Sequence, residues 1–124
     1  MRPTVLFKTV MIVNKSNSKS YSWGDQCKAW EFLLSEHVII KEERMPPQTE
    51  EQLHFHHKTD QFFYVLEGKA TFSIDQQKVS VTKGEGIQIK REIVHKIANT
   101  SAKDLCFLVV SFPGNPEDRT NLSQ

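Results

Sequence analysis

Three of the five histidines in this 124-residue chain fall within four positions, His54, His56 and His57 in the run HFHH. On an extended strand, side chains two residues apart leave the same face. His54 and His56 therefore project together, while Phe55 and His57 point the other way. Two neighbouring imidazoles form half of a transition-metal site. They also suit a solvated polar face or a hydrogen-bonded core pair, and the H-x-H pattern is too short to separate these readings. Beyond the pair, the polar stretch KTDQ leads into FFYVLEG, an apolar strand closed by a glycine turn. Gln61 opens that strand beside the imidazoles. It shares a face with Phe63 and Val65, whereas Phe62, Tyr64 and Leu66 take the other. His95 stands between strand-like segments of the second half and is the candidate third ligand.

The elements that must position these residues read as short strands. Val5–Val13 is rich in β-branched residues and is predicted as one strand. Asn14–Ser20 is polar and reads as a loop. Strands are expected over Ala29–Leu34 and Val38–Met45, joined by a turn at Ser35, Glu36 and His37 and ended by Pro46-Pro47. Further strands follow at Leu53–His57, Gln61–Glu67, Lys69–Asp75, Lys78–Thr82, Ile87–Lys90, Val94–Ala98 and Asp104–Phe112. The tail Pro113–Gln124 has no periodicity and is expected to be irregular. No segment of helical length carries an apolar stripe. Many short strands with regular turn signals indicate an all-β sandwich, barrel or jelly roll.

The length fits one domain over 1–124: an N-terminal strand and loop to residue 28, a barrel over 29–112, and the tail. Sixteen Lys and Arg against fifteen Asp and Glu give a net charge of +1, which offers no electrostatic basis for binding nucleic acid or an anionic membrane. Lys8 interrupts the apolar N-terminal run and no small-residue cleavage site follows, so no signal peptide is expected. Cys27 and Cys106 are read as reduced thiols of a cytoplasmic protein, with a bridge between them left open.

With these residues in place, the sequence resembles the cupin family. The family's first motif is H-x-H, three or four residues, Glu, six residues, Gly. Here it stands as HFHHKTDQFFYVLEG, with four residues between His56 and Gln61 and six between Gln61 and Gly68. The second motif is Gly, five residues, Pro-x-Gly, two residues, His, three residues, Asn. Here it stands as GEGIQIKREIVHKIAN, with Gly84, His95 and Asn99 in register. The resemblance spans residues 38–111. It implies a small single-domain cupin: a double-stranded β-helix, or jelly-roll barrel, holding a divalent transition metal (Fe, Mn, Ni, Cu, Co or Zn) on His54, His56 and His95.

Three departures stand out. Lys90 and Glu92 replace the proline and glycine of the second motif. Gln61 replaces the acidic ligand of the first, so it would coordinate as a neutral oxygen donor or hydrogen-bond a metal-bound water. Asp60 is the runner-up for the missing carboxylate, one position off and on the wrong strand face. His57 and the charged turn Lys90, Arg91 and Glu92 are read first as surface groups. Trp23 and Trp30 are read as packing residues, and Asp118 with Arg119 as a salt bridge pinning the tail.

The resemblance implies a metalloenzyme acting on an organic small molecule, with dioxygenase- or isomerase-type chemistry. A non-catalytic small-molecule binder and a metal-free structural cupin are the alternatives from other classes. Phe62, Tyr64 and Leu66 outside the barrel, together with Cys106, Leu108 and Val110 opposite Leu105, Phe107 and Val109, point to a homodimer.

Overall fold

Alternation along the strands decides the architecture. In the strand Asp60–Glu67, Phe63 and Val65 are buried while Phe62 and Tyr64 are exposed; in Leu105–Phe112, Leu105, Phe107 and Val109 are buried while Cys106, Leu108 and Val110 are only half-buried. One face of each strand therefore meets a core and the other looks outward. The computed structural model describes residues 5–7 and 10–123, with side chains from residue 10 onward.

The described strands are β1 (Val5–Phe7), β2 (Val10–Met11), β3 (Lys19–Trp23), β4 (Cys27–Leu34), β5 (Ile39–Met45), β6 (Thr49–Glu50) and β7 (His54–Phe55). They continue with β8 (Asp60–Glu67), β9 (Lys69–Ile74), β10 (Gln77–Thr82), β11 (Gly86–Ile89), β12 (His95–Asn99), β13 (Leu105–Phe112) and β14 (Thr120–Asn121). One six-stranded sheet has the order β11-β8-β13-β5-β4-β3; the other runs β10-β9-β12-β7-β14, with β6 also pairing with β12. Neighbours distant in sequence, such as β13 beside β5 and β12 beside β7, wrap the chain into an antiparallel jelly roll. Phe63, Val65, Phe107 and Met45 from one sheet pack with Ala70, Phe72, Val81 and Ile97 from the other. The fold is the all-β double-stranded β-helix that the motifs imply. No helix long and apolar enough to cross a membrane occurs among the described residues, and both cysteines are free.

Three segments depart from the sequence reading. The expected strand Val5–Val13 is two short strands, β1 and β2, paired with each other through Val5 and Met11; residues 8 and 9 lie outside the described residues. Apolar runs on both sides of Lys8 and Thr9 give no alternation from which a reversal could be read. The expected loop Asn14–Ser20 ends in β3, which pairs with β4 through Tyr21 and Ala29. The expected irregular tail carries β14, paired with β7.

Two glycines make close approaches possible. A side chain at Gly68 (φ +88°) would bring its Cβ to 2.6 Å from the Asp104 carbonyl, where the β8–β9 turn meets the entry to β13. At Gly114 it would lie 1.9 Å from the Ser35 carbonyl, so only glycine lets the chain leaving β13 press against the β4–β5 turn. Asn99 is structural. Its buried amide donates to the carbonyls of Met45 and Lys103 (2.9 and 2.8 Å) and accepts from the Ser101 N–H and hydroxyl.

Glu92 occupies the motif's glycine position and adopts φ +70°. Its N–H donates to the His56 carbonyl at 2.7 Å, and this bond holds the left-handed conformation that a side chain disfavours. Glu92→Gly keeps the bond and removes the steric cost, partly offset by the greater freedom of glycine in the unfolded chain. The expected result in thermal or urea unfolding is a gain of about 0.5–1 kcal/mol.

Candidate metal centre

β7 and β12 place His54 and His95 directly opposite one another in adjacent strands. His56 follows two residues after His54 and turns inward beside it, with ring centroids 5.0 Å from His54 and 5.7 Å from His95. One nitrogen from each of the three rings lies within 4.8 Å of the other two, near enough for one ion to be held by all three. The other nitrogen of each ring is already engaged. His54 Nδ1 meets the Gln52 carbonyl at 2.8 Å, His95 Nδ1 meets the Ile93 carbonyl at 2.8 Å, and His56 Nδ1 meets the Asp118 carbonyl. A carbonyl only accepts, so each Nδ1 carries the proton and each Nε2 carries a lone pair.

Two observations show that these lone pairs fit a cation. His56 Nε2 is buried with no hydrogen-bond partner. His95 Nε2 faces Gln61 Oε1 at 3.3 Å, lone pair against lone pair, while the Gln61 amide nitrogen donates to Ser111 Oγ at 3.0 Å. Converging acceptors without a donor are costly when buried, and a metal ion satisfies all of them together. Burial also keeps the His54 and His95 imidazoles neutral. Desolvation lowers the pKa of His54 to about 3, helped by the nearby Arg119 cation, and that of His95 to about 4.

The remaining candidates lie elsewhere. Asp60 turns to Arg91, accepting from its backbone N–H at 2.8 Å and from its guanidinium, so it supplies no carboxylate to the triad. His57 is exposed, its ring near Phe55 and Glu92. Asp118 and Arg119 do not bond each other; each makes separate contacts. Trp30 is covered on the outside by Lys15 and Lys28, whereas Trp23 faces the cavity.

That cavity measures about 640 Å³, and its walls include His54, His56, Gln61 and the apolar Phe63, Phe107 and Val109. A second group of polar residues also faces it: Tyr21, Lys41, Glu43 and Glu51, which were not singled out from sequence, and Arg119, expected only as a salt-bridge partner in the tail. Lys41 Nζ donates to Tyr21 Oη at 2.7 Å. Glu51 accepts from the Ile97 N–H at 3.1 Å and lies 3.7 Å from Arg119. The signal was present in IIKEERM, where Lys41 and Glu43 alternate with the buried Ile39 and Met45 on one strand face. Charged residues on the inward face of a barrel strand are expensive and mark a functional cavity. Desolvation raises the pKa of Glu43 to about 7 against the opposing pull of Lys41 and Arg119, and that of Glu51 to about 8 against Arg119.

A double-stranded β-helix with imidazoles and one amide oxygen converging in its interior defines a cupin. The profile of the cupin domain family matches residues 41–111, and the chain belongs to that family. A protein of Methanocaldococcus jannaschii is 30% identical over 83 residues, covering 67% of this chain and 66% of its own length; the match thus spans slightly less than two thirds of that relative. Among solved structures, the polyketide cyclase RemF from Streptomyces resistomycificus superposes with a TM-score of 0.76 at 22% identity, covering 90% of this chain and 84% of that one. A predicted oxalate decarboxylase from Thermotoga maritima gives 0.74 at 23% identity, covering 82% and 98%. At these identities the two structures share the fold with this chain.

The raised pKa of Glu43 has a stability consequence. The folded state keeps the Glu43 proton that the unfolded chain releases near pH 4.5, so this group's contribution is intact below that value and is lost as pH rises through about 7. Glu43→Gln stays neutral throughout. Its melting temperature should lie nearest that of the parent protein at pH 4 and exceed it at pH 9, as scanning calorimetry at the two pH values would show.

Proposed function

We propose that the protein is a small metal-dependent enzyme acting on an organic molecule held in the barrel cavity. One divalent transition ion (Fe, Mn, Ni, Cu, Co or Zn) is carried by His54, His56 and His95, and Gln61 completes or tunes the shell. The observation that carries this reading is the convergence of three imidazole lone pairs, the His56 one without a protein partner, with His54 and His56 in the wall of a cavity of about 640 Å³. That volume suits a small organic ligand. When bound, the ion supplies Lewis acidity towards a ligand oxygen.

The chain's own residues do the rest. Phe63, Phe107 and Val109 exclude water from the ligand, and Lys41 with Tyr21 can donate hydrogen bonds to it. Glu43 titrates near neutrality, where a carboxyl group exchanges protons most effectively. A proton carrier inside the cavity favours turnover over simple storage, and proton transfer is what isomerase-type chemistry requires. The two superposed structures bear enzyme names, a polyketide cyclase and a predicted oxalate decarboxylase, which supports turnover; dioxygenase- or isomerase-type chemistry is the class proposed for this chain.

In the test, wild type and the His54→Ala/His95→Ala variant are purified side by side. Elemental analysis should find about one ion per folded wild-type chain and none in the folded variant. Oxygen uptake and isomerisation are then assayed with a panel of phenolic and diketone compounds, where wild type alone should respond. Equal metal content in the two proteins would refute the site. Metal in wild type alone, with no turnover across the panel, would place the protein among binding modules.

We also propose that two chains pair through the outer face of β8 and β13. Phe62 and Tyr64 are 38% and 37% exposed, with rings stacked 6.5 Å apart, and they lie beside Val110 and Leu108 in register. This strip is apolar and uncharged, so a copy of itself related by a twofold axis is a suitable partner. The next strip is already covered within the chain, where Lys15 pairs with Glu42 and sits over Trp30. Light scattering should give a mass near twice 14.3 kDa. A lone species at 14.3 kDa at micromolar concentration would refute the dimer.

A further inference from the structure

The segment that follows β13 crosses back over the metal centre, and two consecutive residues in it hold two of the three imidazoles from behind. The Asp118 carboxylate accepts from three backbone N–H groups, those of His57 (2.9 Å), Lys58 (2.8 Å) and Thr59 (3.0 Å). These are the residues immediately after His56. The backbone carbonyl of the same Asp118 accepts the His56 Nδ1 proton. Arg119 Nη2 reaches the Gln52 carbonyl at 3.5 Å, which is also the acceptor for His54 Nδ1. Asn121 anchors the guanidinium through Nε at 2.8 Å, and β14 fixes the segment along β7 with Asn121 opposite His54. His95, by contrast, takes its acceptor from Ile93, two residues before it.

We propose that Asp118 is a positioning residue of the metal centre: by clasping the 57–59 loop it sets the tautomer and direction of the His56 ring, while Arg119 supports His54 through the Gln52 carbonyl. The inference rests on the metal-site reading above. Its physical basis is that the Asp118 carbonyl can orient His56 only while the two segments stay in register. Three charge-assisted hydrogen bonds to one carboxylate provide that register. Without the Asp118 carboxylate, the side-chain bond that remains between the described residues of this segment and residues 57–59 is Thr59 Oγ1 to the Pro113 carbonyl at 3.1 Å. His56 then loses its fixed acceptor, its proton redistributes between the two ring nitrogens, and Nε2 no longer points steadily at the other two.

The test uses the full chain as wild type, Asp118→Ala and Asp118→Asn, labelled with ¹⁵N. Long-range ¹H–¹⁵N spectra of the metal-free proteins report the tautomer of each histidine ring, and Co(II) titration followed by absorbance reports affinity. In Asp118→Ala, the His56 signals alone should move from the Nδ1–H pattern towards a mixture. Co(II) affinity should fall about 10–100-fold, the usual effect of losing a group that orients a ligand, while the His95 pattern and the circular dichroism stay as in wild type. Asp118→Asn keeps one acceptor oxygen and should fall between the two.

The proposal is overturned if Asp118→Ala keeps the wild-type His56 pattern and affinity. It is also overturned if all three rings shift together with loss of folded signal in both variants, since the segment then serves overall stability only. Should Asp118→Ala fail to fold, Asp118→Asn carries the same comparison. A wild type that binds no Co(II) would sink the metal reading, whereas the tautomer comparison would still decide the clasp.

Discussion

Each imidazole of the triad gives its Nδ1 proton to a backbone carbonyl, and this one repeated hydrogen bond turns a histidine cluster into a directed set of lone pairs. Without it, neutral histidines at this spacing could bond one another in several arrangements. With it, one ring nitrogen is committed to each carbonyl and the other is left as an acceptor aimed inward. The three carbonyls belong to residues 52, 93 and 118, so the site depends on the middle of the chain and its C-terminal segment meeting at β7, which lies between β12 and β14. The shortness of β7 follows from this. His54 must lie in the ladder opposite His95, while His56 must leave it to meet a carbonyl from another segment.

Inward charge is the second constraint. Lys41 and Glu43 occupy the face of β5 whose other residues, Ile39 and Met45, are buried core. Two apolar residues in their place would pack the barrel and remove a desolvation cost. The cost persists in the raised pKa values of Glu43 and Glu51. A jelly roll can carry it because the apolar core, from Phe72 and Ile97 to Val65 and Leu105, is gathered in one part of the barrel. The charged residues share the cavity with His54 and His56.

What could be read from the sequence follows from which interactions have a residue-type signature. Period-two alternation fixes the side on which a residue lies, so the pairing of His54 with His56 and the inward place of Gln61 were legible, as was the outward place of Phe62 and Tyr64. The motif spacings added His95 and the fold. Backbone carbonyl acceptors carry no such signature: nothing about residues 52, 93 or 118 as residue types marks them as partners of a ring. Asp118 and Arg119, read as a pair, each turn to a different support. β3 was missed because the serines and lysine of KSYSW obscured Tyr21 and Trp23, which both face the cavity. Lys41 and Glu43 lie within the expected strand Val38–Met45, and their inward place follows from sharing a face with the buried Ile39 and Met45.

Gln61 gains meaning from those two inward carboxylates. A divalent ion on three neutral imidazoles and a neutral amide would keep its full charge within the coordination shell. Glu43 and Glu51 face the same cavity, and Glu51 lies 3.9 Å from His54 Nδ1. Burial favours their protonated forms, but the field of a bound divalent ion would favour the ionised ones, and they would then offset an ion they do not touch. A carboxylate at position 61 would be consumed as a ligand, its lone pairs committed and its proton affinity suppressed by the metal. A carboxylate in the wall balances charge and still accepts a proton from a bound molecule. On the proposed reading, the glutamine would leave the neutralising negative charge to the cavity wall, where it would act on the ligand as well as on the ion.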